Sequence, residues 1–151
     1  MSKPAELLLF EFLSEQIAAA ERGSLLDERT CELHDTIYQT IKKSYGWRIS
    51  DAVSELRPGP GGGLRELDAE MTLVCFAKVE GTNKKHRADA LQLAYQLETK
   101  AVELFLADPE LGGRVCDIWV RRSPRGYDNY DSNPYAIVNM PLVINPTSYE
   151  E

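Results

Sequence analysis

The stretch that decides the fold is VCDIWVRRSPRGYDNYDSNPYAIVNMPLVI, residues 115–144. It reads as two strands, 115–121 and 135–144, joined by the polar segment 122–134. In the second strand Ala136, Val138, Met140, Leu142 and Ile144 share one parity and so line one face of a sheet. The connector is long for a hairpin and rich in turn formers, charge and tyrosine. An apolar strand closing the chain behind such a loop points to a small scaffold that presents loops to other chains.

Upstream, residues 67–79 give the cleanest alternation. Leu67, Ala69, Met71, Leu73, Cys75, Ala77 and Val79 are apolar and of one parity, while Glu66, Asp68, Glu70, Thr72, Lys78 and Glu80 hold the other. One face therefore packs on a core and the other is largely wet, as in a half-covered antiparallel sheet. Val74 and Phe76 are apolar exceptions on the wet face, and they suggest that another chain covers part of it. Residues 47–56 form a weaker strand, with Trp47, Ile49 and Val53 of one parity broken at Asp51. The run Pro58-Gly59-Pro60-Gly61-Gly62-Gly63 joins the two. It lacks the Gly-Lys-Ser/Thr end of a phosphate-binding loop and the strand-turn-helix setting of a dinucleotide loop. It reads as a flexible hairpin tip.

Three helices complete the pattern. Residues 4–21 carry an apolar stripe of Leu8, Phe12 and Ile17 with Leu9 and Leu13 beside it, Ser2 is a candidate cap, and Gly23 and Ser24 stop the helix. Residues 27–44 repeat Leu33, Ile37 and Ile41 every four positions, with Lys42 and Lys43 in the last turn and Gly46 beyond. Residues 85–107 follow the candidate caps Thr82 and Asn83 and bury Ala90, Leu93, Ala94, Leu97, Ala101, Leu104 and Phe105. The order is helix, helix, strand, strand, helix, strand, strand. This predicts an α+β domain, with one antiparallel β-sheet packed on one face by helices. A single domain is expected: a helical part at 1–45, a sheet-and-helix core at 46–145 and a fraying tail at 146–151.

The composition narrows the function. The chain has 151 residues and a formal net charge of −7, with a pI near 4.9. A protein that grips nucleic acid electrostatically is usually basic, because phosphate neutralisation supplies most non-specific affinity. Cys31, Cys75 and Cys116 are odd in number and widely spaced, with no CxxC pair, and read as reduced structural thiols. The apolar run at 7–13 is interrupted by Glu11 and followed by no cleavage site, so it is not a secretory signal. No stretch approaches a membrane span, and a soluble, intracellular protein is expected.

No arrangement points to catalysis, a metal or a cofactor. His34 and His86 are the only histidines, and neither belongs to an i, i+4 ligand pair. His86 lies in the basic turn Lys84, Lys85, Arg87, which reads as a solvated helix start. No nucleophile elbow occurs. Asp128 and Asp131 resemble a cation loop only loosely and read as turn formers. Arg121, Arg122 and Arg125 form a basic patch at the strand end. Tyr127 and Tyr130 strengthen its reading as a contact surface, because Tyr and Arg are enriched at interfaces.

Gly126-Tyr127-Asp128, a polar loop and then Tyr135-Ala136-Ile137-Val138-Asn139-Met140-Pro141-Leu142-Val143-Ile144 resemble the C-terminal end of tailed-bacteriophage tail terminator proteins. Members of that family also place a helix, antiparallel strands with a long loop, a second helix and two final strands in this order. The resemblance covers most of residues 46–145. It implies a structural role: a hexameric ring that caps the tail tube, stops its polymerisation and offers a surface to the head, with DNA passing through the channel. It implies tail tube and head-completion proteins as partners, and a place in the virion tail after assembly in the host cytoplasm. An acidic channel wall would let DNA slide, and the wet face with Glu66, Asp68 and Glu70 is the candidate wall. The loops at Gly59, Gly61, Gly62 and Gly63 and at 122–134 are candidates for ordering on docking. Two other readings stand beside this one: another phage connector or tube-like protein, and an intracellular binding module whose loops hold a small ligand or peptide.

Overall fold

The computed structural model describes residues 3–34, 42–121, 125–130 and 133–146, with the backbone alone described at 60, 64, 65, 125–130 and 133. Two helices, α1 (Ala5–Ala19) and α2 (Lys84–Ala107), cover one face of a mixed sheet. The sheet is built from β1 (Cys31–His34), β2 (Tyr45–Val53), β5 (Ala69–Lys78), β6 (Val115–Val120), β7 (Arg125–Tyr130) and β8 (Asn133–Pro146). A separate two-stranded hairpin, β3 (Leu56–Pro58) and β4 (Leu64–Glu66), projects between β2 and β5.

The strand order is β1-β2-β5-β8-β6. β5 and β8 form the centre, antiparallel from Ala69↔Ile144 to Lys78↔Tyr135. The other edge of β8 is shared, with β6 along its C-terminal half and β7 along its N-terminal half. The predicted alternation selects the faces. Ala69, Met71, Leu73, Cys75 and Ala77 of β5 and Ala136, Val138, Met140, Leu142 and Ile144 of β8 all enter the core under the helices. From α1 come Ala5, Leu9, Phe12, Leu13 and Ile17; from α2 come Ala90, Ala94, Leu97, Ala101 and Phe105. The rings of Phe12 and Phe105 meet at 6.5 Å where the helices touch. Trp47 of β2 is fully buried, and its indole N–H donates to the Leu97 carbonyl at 3.3 Å.

Four expectations need correction. The helix at 27–44 is absent in its described part. Asp27 builds a turn instead: its carboxylate accepts from the Gly23 and Arg29 main-chain N–H groups, and its carbonyl accepts from those of Thr30 and Cys31. The chain then extends as β1 and pairs in parallel with β2, Cys31↔Tyr45 to His34↔Arg48. The backbone hydrogen bonds of a neighbouring strand outweigh the i, i+4 spacing, of which Ile37 and Ile41 lie outside the described residues. The sheet is therefore mixed rather than wholly antiparallel.

Gly46 serves this pairing rather than a helix end. It stands opposite Glu32, and a Cβ there would collide with the Glu32 main chain. The connector at 122–134 is also not simply a loop, since β7 occupies 125–130 of it and pairs with β8 from Arg125↔Val138 to Tyr130↔Asn133. Residues 122–124 and 131–132, with Arg122 and Asp131, lie outside the described residues, as do Ser2 and the tail from 147.

Helix α2 begins as the sequence suggests, with the Asn83 side chain accepting the His86 N–H at 3.0 Å. Helix α1 begins differently. Pro4 is its N-cap and offers no side-chain oxygen, and the Ala5 N–H donates at 2.9 Å to Glu66 from the far hairpin.

Candidate functional site

The face of the sheet opposite the helices divides into a closed half and an open half. Phe76 and Val74 lie in the closed half, 0% and 6% exposed in the single chain. The Phe76 ring stands edge-on to Tyr135, with centroids 5.8 Å apart, and to His34 at 6.3 Å. The reading of Val74 and Phe76 as ground covered by another chain is corrected here. β1 is the strand that periodicity misread as helix, and it delivers His34 to this cluster. His34 itself is buried, and its Nε2 pairs with Glu32.

The open half has a different set of apolar groups. A cross-strand row runs Val53, Glu70, Val143, Trp119 over β2, β5, β8 and β6. Val53 is 68% exposed and Trp119 46%. Val53 shares sequence parity with the buried Ile49, so alternation alone would place it in the core. A bulge between Ser50 and Val53, with Asp51 in the left-handed region at φ 56°, inserts one extra residue and turns Val53 to the opposite face. The broken parity at Asp51 was the visible trace of this bulge. Trp119 was missed, although its parity opposes that of Ile118 and Val120 and so signals an outward ring. A groove of about 340 Å³ beside this row is lined by Asp51, Val53, Glu70, Thr72, Arg121 and Val143 among others.

The predicted acidic residues come together. Glu66, Asp68 and Glu70 line an open cleft of about 880 Å³, joined by Glu55 from the hairpin base and faced by Cys116 and Pro146. Their roles are unequal. Glu66 holds the start of α1 through Ala5 and accepts from the Ser54 hydroxyl at 2.6 Å. Asp68 and Glu70 are exposed, and among the described residues neither forms an ion pair. Glu70 lines both the cleft and the groove.

The glycine loop is the tip of the β3–β4 hairpin. A 3-10 turn, Pro60–Gly62, closes it, and the Gly59 N–H donates to the Gly63 carbonyl at 2.6 Å. Gly61 and Gly62 sit at φ 83° and 92°, where a side chain would be strained. Arg121 is exposed at the end of the groove, and its N–H donates to the Pro141 carbonyl at 2.9 Å. Arg125, Tyr127 and Tyr130 belong to β7, opposite Val138, Ala136 and Asn133. The basic and aromatic residues are thus spread along a strand rather than gathered in a loop.

Among the described residues, no three His, Cys, Asp or Glu side chains are placed to hold a metal ion. No described helix is long and apolar enough to cross a membrane. Comparison with known proteins finds no family model that matches this chain and no curated protein similar to it.

Proposed function

We propose that this chain is a structural subunit of a tailed bacteriophage that caps the tail tube as a hexameric ring, ends tail polymerisation and forms the surface that joins the head. The observation that carries the reading is the open half of the sheet, where Trp119 stands in solvent on β6, the outer strand, and Val53 at the other end of the same row on β2. An exposed tryptophan next to a strand edge that is unpaired among the described residues suits burial by another copy, and a closed ring removes the edge. The element order adds support. Among the described residues, one helix, strands around a long hairpin, a second helix and closing strands follow one another, an order like that of the tail terminators that the C-terminal segment resembles, with β1 added in parallel at one edge.

On this reading the role is structural rather than catalytic and needs no cofactor. The acidic cleft with Asp68 and Glu70 supplies channel wall that repels the DNA backbone, so DNA passes without sequence-specific binding. The glycine tip of the β3–β4 hairpin and the segment around β7 dock the tail tube protein on one side and the head-completion protein on the other. The protein assembles in the host cytoplasm and ends in the virion tail.

Light scattering after size exclusion, over a range of concentrations, tests the ring. Six chains of 17.0 kDa give about 102 kDa. A species of that mass, seen as a ring by electron microscopy, is expected. A stable dimer that never assembles further would overturn the proposal in favour of a binding module.

A further inference from the structure

The β3–β4 hairpin and the open half of the sheet meet at the acidic cleft and carry complementary chemistry. The first strand of the hairpin is exposed, with Leu56 48% exposed and Arg57 reaching solvent. In the backbone register Arg57 stands opposite residue 65. The partner of Arg57 in its own chain is Glu55 at 3.1 Å, and both side chains of that pair are more than half exposed. Such a pair holds weakly and exchanges readily for a better-shielded one. The open sheet face presents apolar Val53 and Trp119 at the ends of a row, with the carboxylate of Glu70 between them, Asp51 and Asp68 nearby and Arg121 at the end of the groove.

We infer that the β3–β4 hairpin of one copy docks on the open sheet face of the next, Arg57 meeting Glu70 and Leu56 packing on the apolar row that ends at Trp119. The inference rests on the ring reading and names the contact that closes it. On the ring reading the contact is head-to-tail, each copy's hairpin on the next copy's face, and such a contact repeated around an axis yields a ring. Glu70, on the border between cleft and groove, takes the neighbour's arginine, while Asp68 stays on the channel side. The glycine tip extends past the contact and remains free for the tail tube.

Charge exchange tests this. R57E and E70K change exposed side chains, so both variants should fold, as circular dichroism would verify. Each alone is expected to raise the dissociation constant of the assembly by at least about tenfold, and R57E combined with E70K to restore it to within about threefold of wild type. Wild type that assembles while both single variants assemble equally well would overturn the hairpin contact and leave the ring standing. A double variant no better than the worse single variant would overturn it too. Wild type that stays at the mass of one chain up to millimolar concentration would overturn the ring, and the hairpin contact with it.

Discussion

Asp27 shows how one residue can redirect a segment. Its carboxylate is held well below the ordinary aspartate value of 3.8, first by the Arg29 guanidinium and then by the Gly23 and Arg29 main-chain N–H groups. A carboxyl lowered in the folded state contributes stability that is present above the unfolded value and is lost as pH falls below it. Urea unfolding of the wild type should therefore weaken as pH drops below about 4. D27N should melt about 2–4 °C lower at neutral pH and lose less on acidification. A variant with the wild-type acid profile would show that the turn is held by something else.

The three thiols divide in the same residue-level way. Burial pushes the Cys31 thiol up to about 12, and burial together with the nearby Glu98 charge raises Cys75 well above its ordinary value. Only the thiolate is a nucleophile, so both should be inert at pH 8 in the folded protein. Cys116 is exposed at the cleft. A thiol reagent should find one fast cysteine, and the other two only after denaturation.

At the scale of elements, the two helix starts differ instructively. Asn83 caps α2 from the adjacent position, and the sequence shows it. Glu66 caps α1 from 61 residues away, and no local pattern could reveal that. A carboxylate there also complements the positive end of the α1 dipole. Glu66→Ala should cost about 1 kcal/mol in urea unfolding, the typical loss of a helix cap. No change would mean that water replaces the carboxylate without penalty. The elements most legible in the sequence were β5, β8 and α2, because each carries a long, unbroken periodicity with one buried face. β1 and β7 were not legible. Each is short and polar, and each is strand only because a neighbouring strand offers it a ladder of hydrogen bonds.

At the scale of the whole molecule, the balance is between a buried core and a face that leaves Val53 and Trp119 exposed. Trp119→Ser tests that division. It should leave the stability of the single chain within about 0.5 kcal/mol. Assembly should weaken by about 2 kcal/mol or more, as expected of a tryptophan that an interface buries. Loss of single-chain stability with assembly unchanged would place Trp119 in the fold rather than the contact.

The candidate site was half legible at this scale. The acidic residues Glu66, Asp68 and Glu70 were visible as one parity of β5 and its approach, and they do gather at one cleft. The apolar part was assigned to Val74 and Phe76, which the chain buries itself, while Val53 and Trp119 are the ones left exposed on that face. By itself, the chain's 2.0 and 3.6 periodicities determined an α+β core, the inward faces of β5 and β8 and the glycine hairpin tip, since these depend on neighbours in sequence. Only tertiary structure decided that 31–34 is a strand, that a bulge turns Val53 outward, that Glu66 belongs to α1 and that Phe76 is covered by His34 and Tyr135. Each of these depends on which distant backbone groups and side chains find one another, and hydrogen bonding and burial between such groups outweigh the local preference of a few residues.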